Sequence, residues 1–292
     1  MRVLLTGASG YLGRHVLHAL QQHGIETICA IHERPLNVHN VEVLKANLLL
    51  PDGAEKLIAQ AKATHLMHLA WYVEHGKYWN SLQNFEWLQA TIRLVNAFCR
   101  KGGQHVVVAG TCAEYDWTHG YMRENATPFS PNTPYGICKD ATRRVLTSLC
   151  NQLGTRLAWG HVFFPFGLDE DPRRLIPSLI RVFRHETPAF GVNANSIRGM
   201  LPVQDTAQAF VKLLEPVANG NYNICSGNPT RIEDIVRLVA SCFDADPALI
   251  LQLDSERPRD PFMIVGDNQR LRSLGWTIQN SLEKSIYETV HQ

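Results

Sequence analysis

Short apolar runs alternate with stretches whose apolar residues return every three or four positions. The runs Val3–Leu5, Glu26–Ile31, Val41–Leu44, His65–Ala70, Gln104–Ala109 and Arg156–Phe164 predict strands. The helical stretches run from the first glycines to about Gln22, near Gly53–Ala61, over about Leu82–Cys99, and from Pro134 to about Gln152. The alternation of the two over the first half implies right-handed crossovers and a parallel sheet with helices on both faces. Some helix starts are legible. Thr133-Pro134 offers a capping hydroxyl followed by proline at the first helical position. Thr230 with Glu233 reads as a capping box, and Asp205 as the cap of a helix Thr206–Leu214. Beyond Phe164 the pattern loosens. Asp169–Arg198 and Asn228–Gln292 hold more loops, prolines and arginines, and read as a lid-forming lobe. Between them Tyr222–Cys225 reads as a strand returning to the main sheet.

The 292-residue length fits one large α/β domain, or a cofactor domain with a smaller lobe. A net charge of +1 without any Lys/Arg run gives no sign of nucleic acid or an anionic membrane as partner. The longest apolar runs are too short to span a bilayer. The chain opens on a strand without a charged and apolar leader, so a cytoplasmic location is expected. Seven cysteines are scattered with no C-x-x-C pair, which favours reduced, mostly buried thiols. The thirteen histidines form no H-E-x-x-H or similar cluster, so no metal site is expected.

Two stretches carry chemistry. Thr6-Gly7-Ala8-Ser9-Gly10-Tyr11-Leu12-Gly13 follows the first apolar run and opens a helix. Gly7, Gly10 and Gly13 let the backbone turn, approach phosphates closely and pack helix on strand. The helix start then offers free N–H groups and the positive dipole end to a dinucleotide pyrophosphate. In Tyr135-Gly136-Ile137-Cys138-Lys139 a phenol and an ammonium stand four residues apart on one helical face, suited to proton transfer at a carbonyl. The second strand ends in Ile31-His32-Glu33-Arg34. With His32 at the position where an NAD site places an acid, and Arg34 nearby, NADP(H) is favoured over NAD(H), Glu33 being the counter-signal.

With these motifs the chain resembles the extended short-chain dehydrogenase/reductase family, in its nucleotide-sugar epimerase/dehydratase/reductase branch. The resemblance also rests on H-L-A at His68–Ala70, G-T-C-A-E-Y at Gly110–Tyr115 and F-F-P-F-G at Phe163–Gly167. It continues through R-G-M-L-P-V at Arg198–Val203, N-I-C-S-G at Asn223–Gly227 and R-P-R-D at Arg257–Asp260. It implies a Rossmann-type doubly wound parallel sheet over 1–167 and about 200–227. A smaller, mostly C-terminal substrate-binding lobe would take about 168–199 and 228–292.

The resemblance makes Tyr135 the acid/base, Lys139 its partner at the nicotinamide ribose, and Thr111 a hydroxyl on the same carbonyl oxygen. It adds Ser9, Tyr11 and Leu12, Asn47 and Leu48 near the adenine, and Leu69 and Ala70 to the cofactor site. On the substrate side it implies Cys112, the segment Arg174-Leu175 at the base, Phe190 on the nucleobase, and Arg198 and Arg257 at a diphosphate. The branch's dehydratases carry an Asp-Glu pair after the threonine, where this chain has Cys112 and Ala113, with Glu114 one place off. Departures also include Gly199 for an aspartate, Phe164 and Trp87 for asparagines, Asn47 for an aspartate and His161 for an arginine. Tyr72, Glu74, His75, Tyr78 and Trp79 follow the fourth strand, as a border of the sugar pocket or a packed flap. The first expectation is a reductase of a nucleotide-linked 4-keto-6-deoxyhexose with a nucleotide-sugar substrate, and the resemblance implies a homodimer through the helices Leu82–Cys99 and Pro134–Gln152. The alternatives are a sugar 4-epimerase, a reductase of a small non-nucleotide carbonyl, and a non-catalytic NADP(H)-binding sensor.

Overall fold

Val3, Leu4 and Leu5 are all fully buried, because their strand lies inside a sheet covered on both faces. A computed structural model describes residues 1–39, 41–255 and 260–291. The chain begins β1 (Arg2–Thr6), α1 (Tyr11–Gln22), β2 (Glu26–Ile31), β3 (Glu42–Lys45), α2 (Gly53–Ala61), β4 (His65–His68), α3 (Gln83–Arg100) and β5 (His105–Thr111). It continues β6 (Tyr121–Met122), α4 (Pro134–Gln152), β7 (Arg156–Val162), β8 (Pro165–Phe166), α5 (Leu175–Phe183), β9 (Ile197–Arg198) and β10 (Leu201–Pro202). The last part is α6 (Val203–Lys212), β11 (Gly220–Ile224), β12 (Thr230–Arg231), α7 (Ile232–Ser241), α8 (Ala248–Leu251), β13 (Met263–Gly266), α9 (Gln269–Arg272) and α10 (Leu282–Val290).

Seven strands form one sheet in the order β11-β7-β5-β4-β1-β2-β3, and each neighbouring pair is parallel. This is the expected doubly wound α/β architecture. The order reverses between β1 and β4, and the segments after these two strands meet there, at the switch point where such sheets bind ligands. Alternate β1 side chains feed two cores. Val3 and Leu5 join Val16, Leu20, Phe210 and Trp276 on the α1/α6 face. Leu4 joins Leu57, Leu94, Phe98 and Trp159 on the α2/α3 face. A third core lies off the sheet, where Ile176, Leu179 and Phe183 of α5 meet Ile235 and Val239 of α7 and Ile286 of α10. The loosely patterned C-terminal region therefore has a packed core of its own, while Leu271 and Trp276 return to the first one.

Two expected helix caps are corrected. Thr230 is not the cap of α7: it lies in β12, paired with Arg198 of β9. That pairing brings the carbonyls of Ser196 and Ala194 to the N–H groups of Ile232 and Glu233, each at 2.9 Å. The backbone thus satisfies donors a capping side chain would otherwise take. Glu233 turns outward to Arg237 instead. Asp205 is likewise not a cap. The helix α6 starts at Val203, directly after Pro202, which places Asp205 in the first turn, fully buried. Its carboxylate accepts from the Gln279 and Asn280 backbone N–H groups at 2.9 and 3.1 Å, and from Asn280 Nδ2 at 3.2 Å.

The Asp205 carboxylate therefore pins the 279–280 segment onto α6, near the helix's positive end. Asp205→Ala is expected to cost about 3 kcal/mol in urea denaturation, the scale of charged hydrogen bonds left unmade in the interior. A loss below about 1 kcal/mol would mean that Trp276 and its neighbours hold this segment without the carboxylate.

Candidate active site

The glycine turn is built from close backbone approaches. Gly7 has φ +78°, and a Cβ there would lie 2.7 Å from Ala70 N. A Cβ on Gly13 would lie 1.9 Å from Gly7 O. No side chain larger than hydrogen fits either place, so the turn holds α1 directly against β1 and the 69–70 segment. Gly10, the N-cap, supplies no capping side chain. The N–H groups of Tyr11, Leu12 and Gly13, in the first helical turn, have no intrahelical acceptors. The Tyr11 phenol oxygen is also buried without a partner. This terminus, with Ser9 half-buried at its apex, fits an anionic diphosphate. Leu69 N donates to Thr6 O at 3.2 Å, which seats Leu69 and Ala70 beside the turn.

Thr111 ends β5 and its hydroxyl accepts from Ala113 N at 3.2 Å. The same hydroxyl lies beside the Tyr135 side chain. Thr133 caps α4 through Gly136 N, with Pro134 following, as expected. The cap fixes the first turn, where Tyr135 sits 8% exposed. Burial pushes the phenol above its ordinary value and Tyr78 adds to this, while Thr111 pulls it down. One turn on, Lys139 is 4% exposed and donates to Ala109 O at 2.8 Å. Burial pulls its ammonium down to about 7, opposed by the charge of Glu114. Thr111, Tyr135 and Lys139 are thus brought together at the ends of β5 and α4.

Glu114 faces away from this chemistry. It is fully buried, accepts from Thr111 N at 2.7 Å and from Trp159 Nε1 at 3.2 Å, and lies 3.6 Å from Arg143. Aromatic rings enclose Tyr135 instead. Tyr78 and Trp79 meet it edge-on, with centroids at 4.8 and 5.6 Å, and Trp79 also meets Trp117. Trp71 lies under Lys139. The sequence reading named Tyr78 and Trp79 but missed Trp71, Trp117 and Asn84. The indole directly after Ala70 was the available signal. Beside this enclosure a cleft of ≈ 480 Å³ is lined by Ala113, Trp117, Asn132, Pro261 and Phe262, among others.

The other predicted site residues are less uniformly placed. His32 and Arg34 lie exposed on the bend after β2. The Asn47 Oδ1 accepts from Leu49 N at 3.0 Å, while the Leu48 side chain belongs to the second core. Cys112 is buried among Tyr115, Met122 and Phe163, and burial pushes its thiol up to about 12. Arg198, 8% exposed, donates to the carbonyls of Ile197 and Pro261 at 2.9 and 3.0 Å. Arg174 pairs with Glu170 at 2.6 Å, whose carboxyl burial raises to about 7. Leu175 and Phe190 pack, half-buried, on the third core. Arg257 lies outside the described residues. Among the described residues no helix is long and apolar enough to cross a membrane.

The sequence model of the NAD dependent epimerase/dehydratase family matches residues 3–225. The chain belongs to this family. A trifunctional UDP-glucose 4,6-dehydratase/UDP-4-keto-6-deoxy-D-glucose 3,5-epimerase/UDP-4-keto-L-rhamnose-reductase of Arabidopsis thaliana is 23% identical, over 99% of this chain and 46% of that protein. The chain thus spans about half the length of this Arabidopsis relative. A GDP-6-deoxy-D-mannose reductase of Pseudomonas aeruginosa is 23% identical over 98% of this chain and 94% of its own length. Among solved structures, a UDP-glucose 4-epimerase of Thermus thermophilus in complex with NAD aligns with a TM-score of 0.88. That alignment covers 100% of this chain and 98% of the other at 22% identity, and shows a shared fold.

One pH dependence follows from the floor of this family site. His68 is 2% exposed, held between Thr6 Oγ1 at 2.7 Å and Thr91 Oγ1 at 2.9 Å. Burial, then the nearby Lys139 charge, lowers its imidazole from 6.5 to about 3. The unfolded chain accepts this proton near pH 6.5 and the folded chain refuses it until about pH 3, so acid favours unfolding across that window. Stability measured between about pH 6 and 4 should fall less steeply in His68→Asn, by up to ~1.4 kcal/mol per pH unit. Parallel curves for variant and wild type would show that His68 titrates normally.

Proposed function

We propose that this chain is an NAD(P)-dependent oxidoreductase of a nucleotide-linked sugar, and specifically a reductase of a nucleotide 4-keto-6-deoxyhexose. The observation that carries the reading is the buried set Thr111, Tyr135 and Lys139, gathered at the ends of β5 and α4. The turn from Gly7 to Gly13 would hold the pyrophosphate of the dinucleotide. Asn47, Leu69 and Ala70 would border its adenosine and ribose. When bound, the nicotinamide supplies or accepts a hydride. The Tyr135 phenol gives its proton to the carbonyl oxygen under reduction, and the Thr111 hydroxyl donates to the same oxygen. The Lys139 ammonium makes the resulting phenolate less costly.

Glu114 favours reduction over dehydration. Elimination of water across the sugar needs an acid and a base beside the threonine. Ala113 transfers no proton, and Glu114 is committed to Thr111 N, Trp159 and the vicinity of Arg143. A 4-epimerase is the second reading, favoured by the fold shared with the Thermus enzyme. The lobe around the third core, with Arg174, Phe190, Arg198 and Arg257, would take the nucleoside diphosphate, and Cys112 after β5 would border the substrate from the sheet side. NADP(H) is the favoured cofactor, because Glu33 is 84% exposed and no acid occupies the end of β2. Exposed Phe85 on α3, with Ile137 and Val145 on α4, support a homodimer through these helices. The seven free cysteines, six of them buried, support a reducing, cytoplasmic setting.

With a nucleotide 4-keto-6-deoxyhexose as substrate, the protein should consume added NADPH. Tyr135→Phe should cut that rate about 10²–10⁴-fold while NADPH still binds, as expected for loss of one acid–base group. Tightly retained NAD with epimerisation and no net cofactor consumption would support the epimerase reading instead. The His32→Asp change should move preference from NADPH towards NADH, roughly tenfold or more in relative affinity by titration. Equal or tighter NADH binding by the wild type would reject the NADP assignment.

A further inference from the structure

The proton transfer proposed above uses neither Trp71 nor Asn84, yet both are buried against the groups that perform it. The Lys139 ammonium lies 3.9 Å from the centroid of the Trp71 ring. Its hydrogen bond goes to a neutral acceptor, Ala109 O. Glu114, whose charge favours the ammonium, is itself engaged by Arg143 and lies 3.3 Å from His161. A nearly inaccessible ammonium would be strongly disfavoured without local compensation. A desolvated indole face is one of the few uncharged groups that supplies it.

The indole is not free to rotate away. Trp71 Nε1 donates to Asn84 Oδ1 at 2.9 Å. Asn84, fully buried, donates through Nδ2 to the carbonyls of Tyr78 and Ser81 at 2.7 and 2.9 Å. Chemistry fixes the orientation of this amide: an indole N–H only donates and the two carbonyls only accept. The same amide therefore anchors the ring beneath Lys139 and the turn whose Tyr78 and Trp79 press on Tyr135.

We propose that Trp71 is a positioning residue for Lys139, its indole face seating the ammonium, and that Asn84 locks that face in place. The seat is a property of the protein alone. Its purpose rests on the reading of Lys139 as the partner of Tyr135.

The experiment is NMR of the protein with ¹³C-labelled lysine, the Lys139 signal being assigned by its loss in Lys139→Met. In the wild type the Lys139 Cε protons should be shifted upfield by the ring current of Trp71. Trp71→Leu should abolish this shift and Trp71→Phe should keep part of it. The deprotonation midpoint of Lys139 should fall by about 0.5–1.5 pH units in Trp71→Leu, a ~3–30-fold loss of proton affinity, and by less in Trp71→Phe. The other titratable groups near the ammonium are the His68 imidazole of β4 and the more distant Glu114 carboxylate after β5, with Tyr135 one turn back on α4, and all are retained in both variants. NADPH binding should weaken as Lys139 loses its proton, and this weakening should begin at lower pH in Trp71→Leu, with Trp71→Phe restoring it in part. Asn84→Leu, which removes the lock and keeps the ring, should weaken the upfield shift without abolishing it. A folded Trp71→Leu protein with an unchanged Lys139 shift and midpoint overturns the proposal. Full carbonyl reduction by Lys139→Met would instead reject the catalytic reading, and the NMR result would stand apart from it.

Discussion

Three backbone segments meet at the reversal of strand order with no side chain between them. A methyl on Gly13 would overlap the carbonyl of Gly7, and one on Gly7 would collide with the peptide at Ala70. This contact fixes how far α1 lies from β1, an interior strand between β4 and β2. It also decides that the first turn of α1 presents backbone N–H groups and not side chains. Everything on the cofactor side inherits its position from that approach. On the other side of the reversal, β4 and β5 carry Ala70 and Thr111 to the same end of the sheet. The proposed hydride and proton chemistry can therefore share one edge without any long connection.

The second constraint is the placing of polar groups in an interior that leaves them little solvent. Three are managed by different means. His68 stays neutral between two threonine hydroxyls. Glu114 lies beside Arg143 and accepts from two N–H donors. Lys139 has a carbonyl and an aromatic face. The Glu114 arrangement also reaches the proposed catalytic group, because the N–H it accepts belongs to Thr111 itself. The carboxylate that sequence spacing left beside the site holds up the threonine from below.

Most of the sheet could be read from the sequence because each crossover unit is locally consistent. Apolar runs buried on both faces, helical periodicity, and the Thr133-Pro134 cap agree with one another. The bounds of β2, α2 and α4 follow directly from such signals. Asp205 and Thr230 misled for one reason: both have the chemistry of a cap, but partners distant in sequence claim their neighbourhoods first. Residues 279–280 take the Asp205 carboxylate, and β9 takes the Thr230 backbone. Trp71 stands in plain view after Ala70, but its role and that of Asn84 were illegible for a related reason. Their meaning lies in the orientation of an indole and an amide across α3 and α4, and nothing in their spacing encodes it. On the substrate side the motifs were visible, but their geometry was not. Arg198 turned out to be bound into its own strand and the 261 carbonyl, a consequence of the short β9–β13 pairing.

The aromatic enclosure explains why so few groups can govern Tyr135. The indole N–H of Trp71 is committed to Asn84, and that of Trp117 to Cys112 O at 2.8 Å. Both rings therefore offer the site π faces and edges, with their one strong donor turned elsewhere. Water is kept from the phenol by Tyr78 and Trp79 packed edge-on. In such surroundings the energy of a proton on Tyr135 depends steeply on the nearest hydrogen-bonding and charged groups. Thr111 is one of these, and Lys139 stands one turn further along α4. An apolar wall thus sharpens the control exerted by two polar residues. It does so only while its own polar atoms remain satisfied within the wall, which is the structural reason for the buried amide of Asn84.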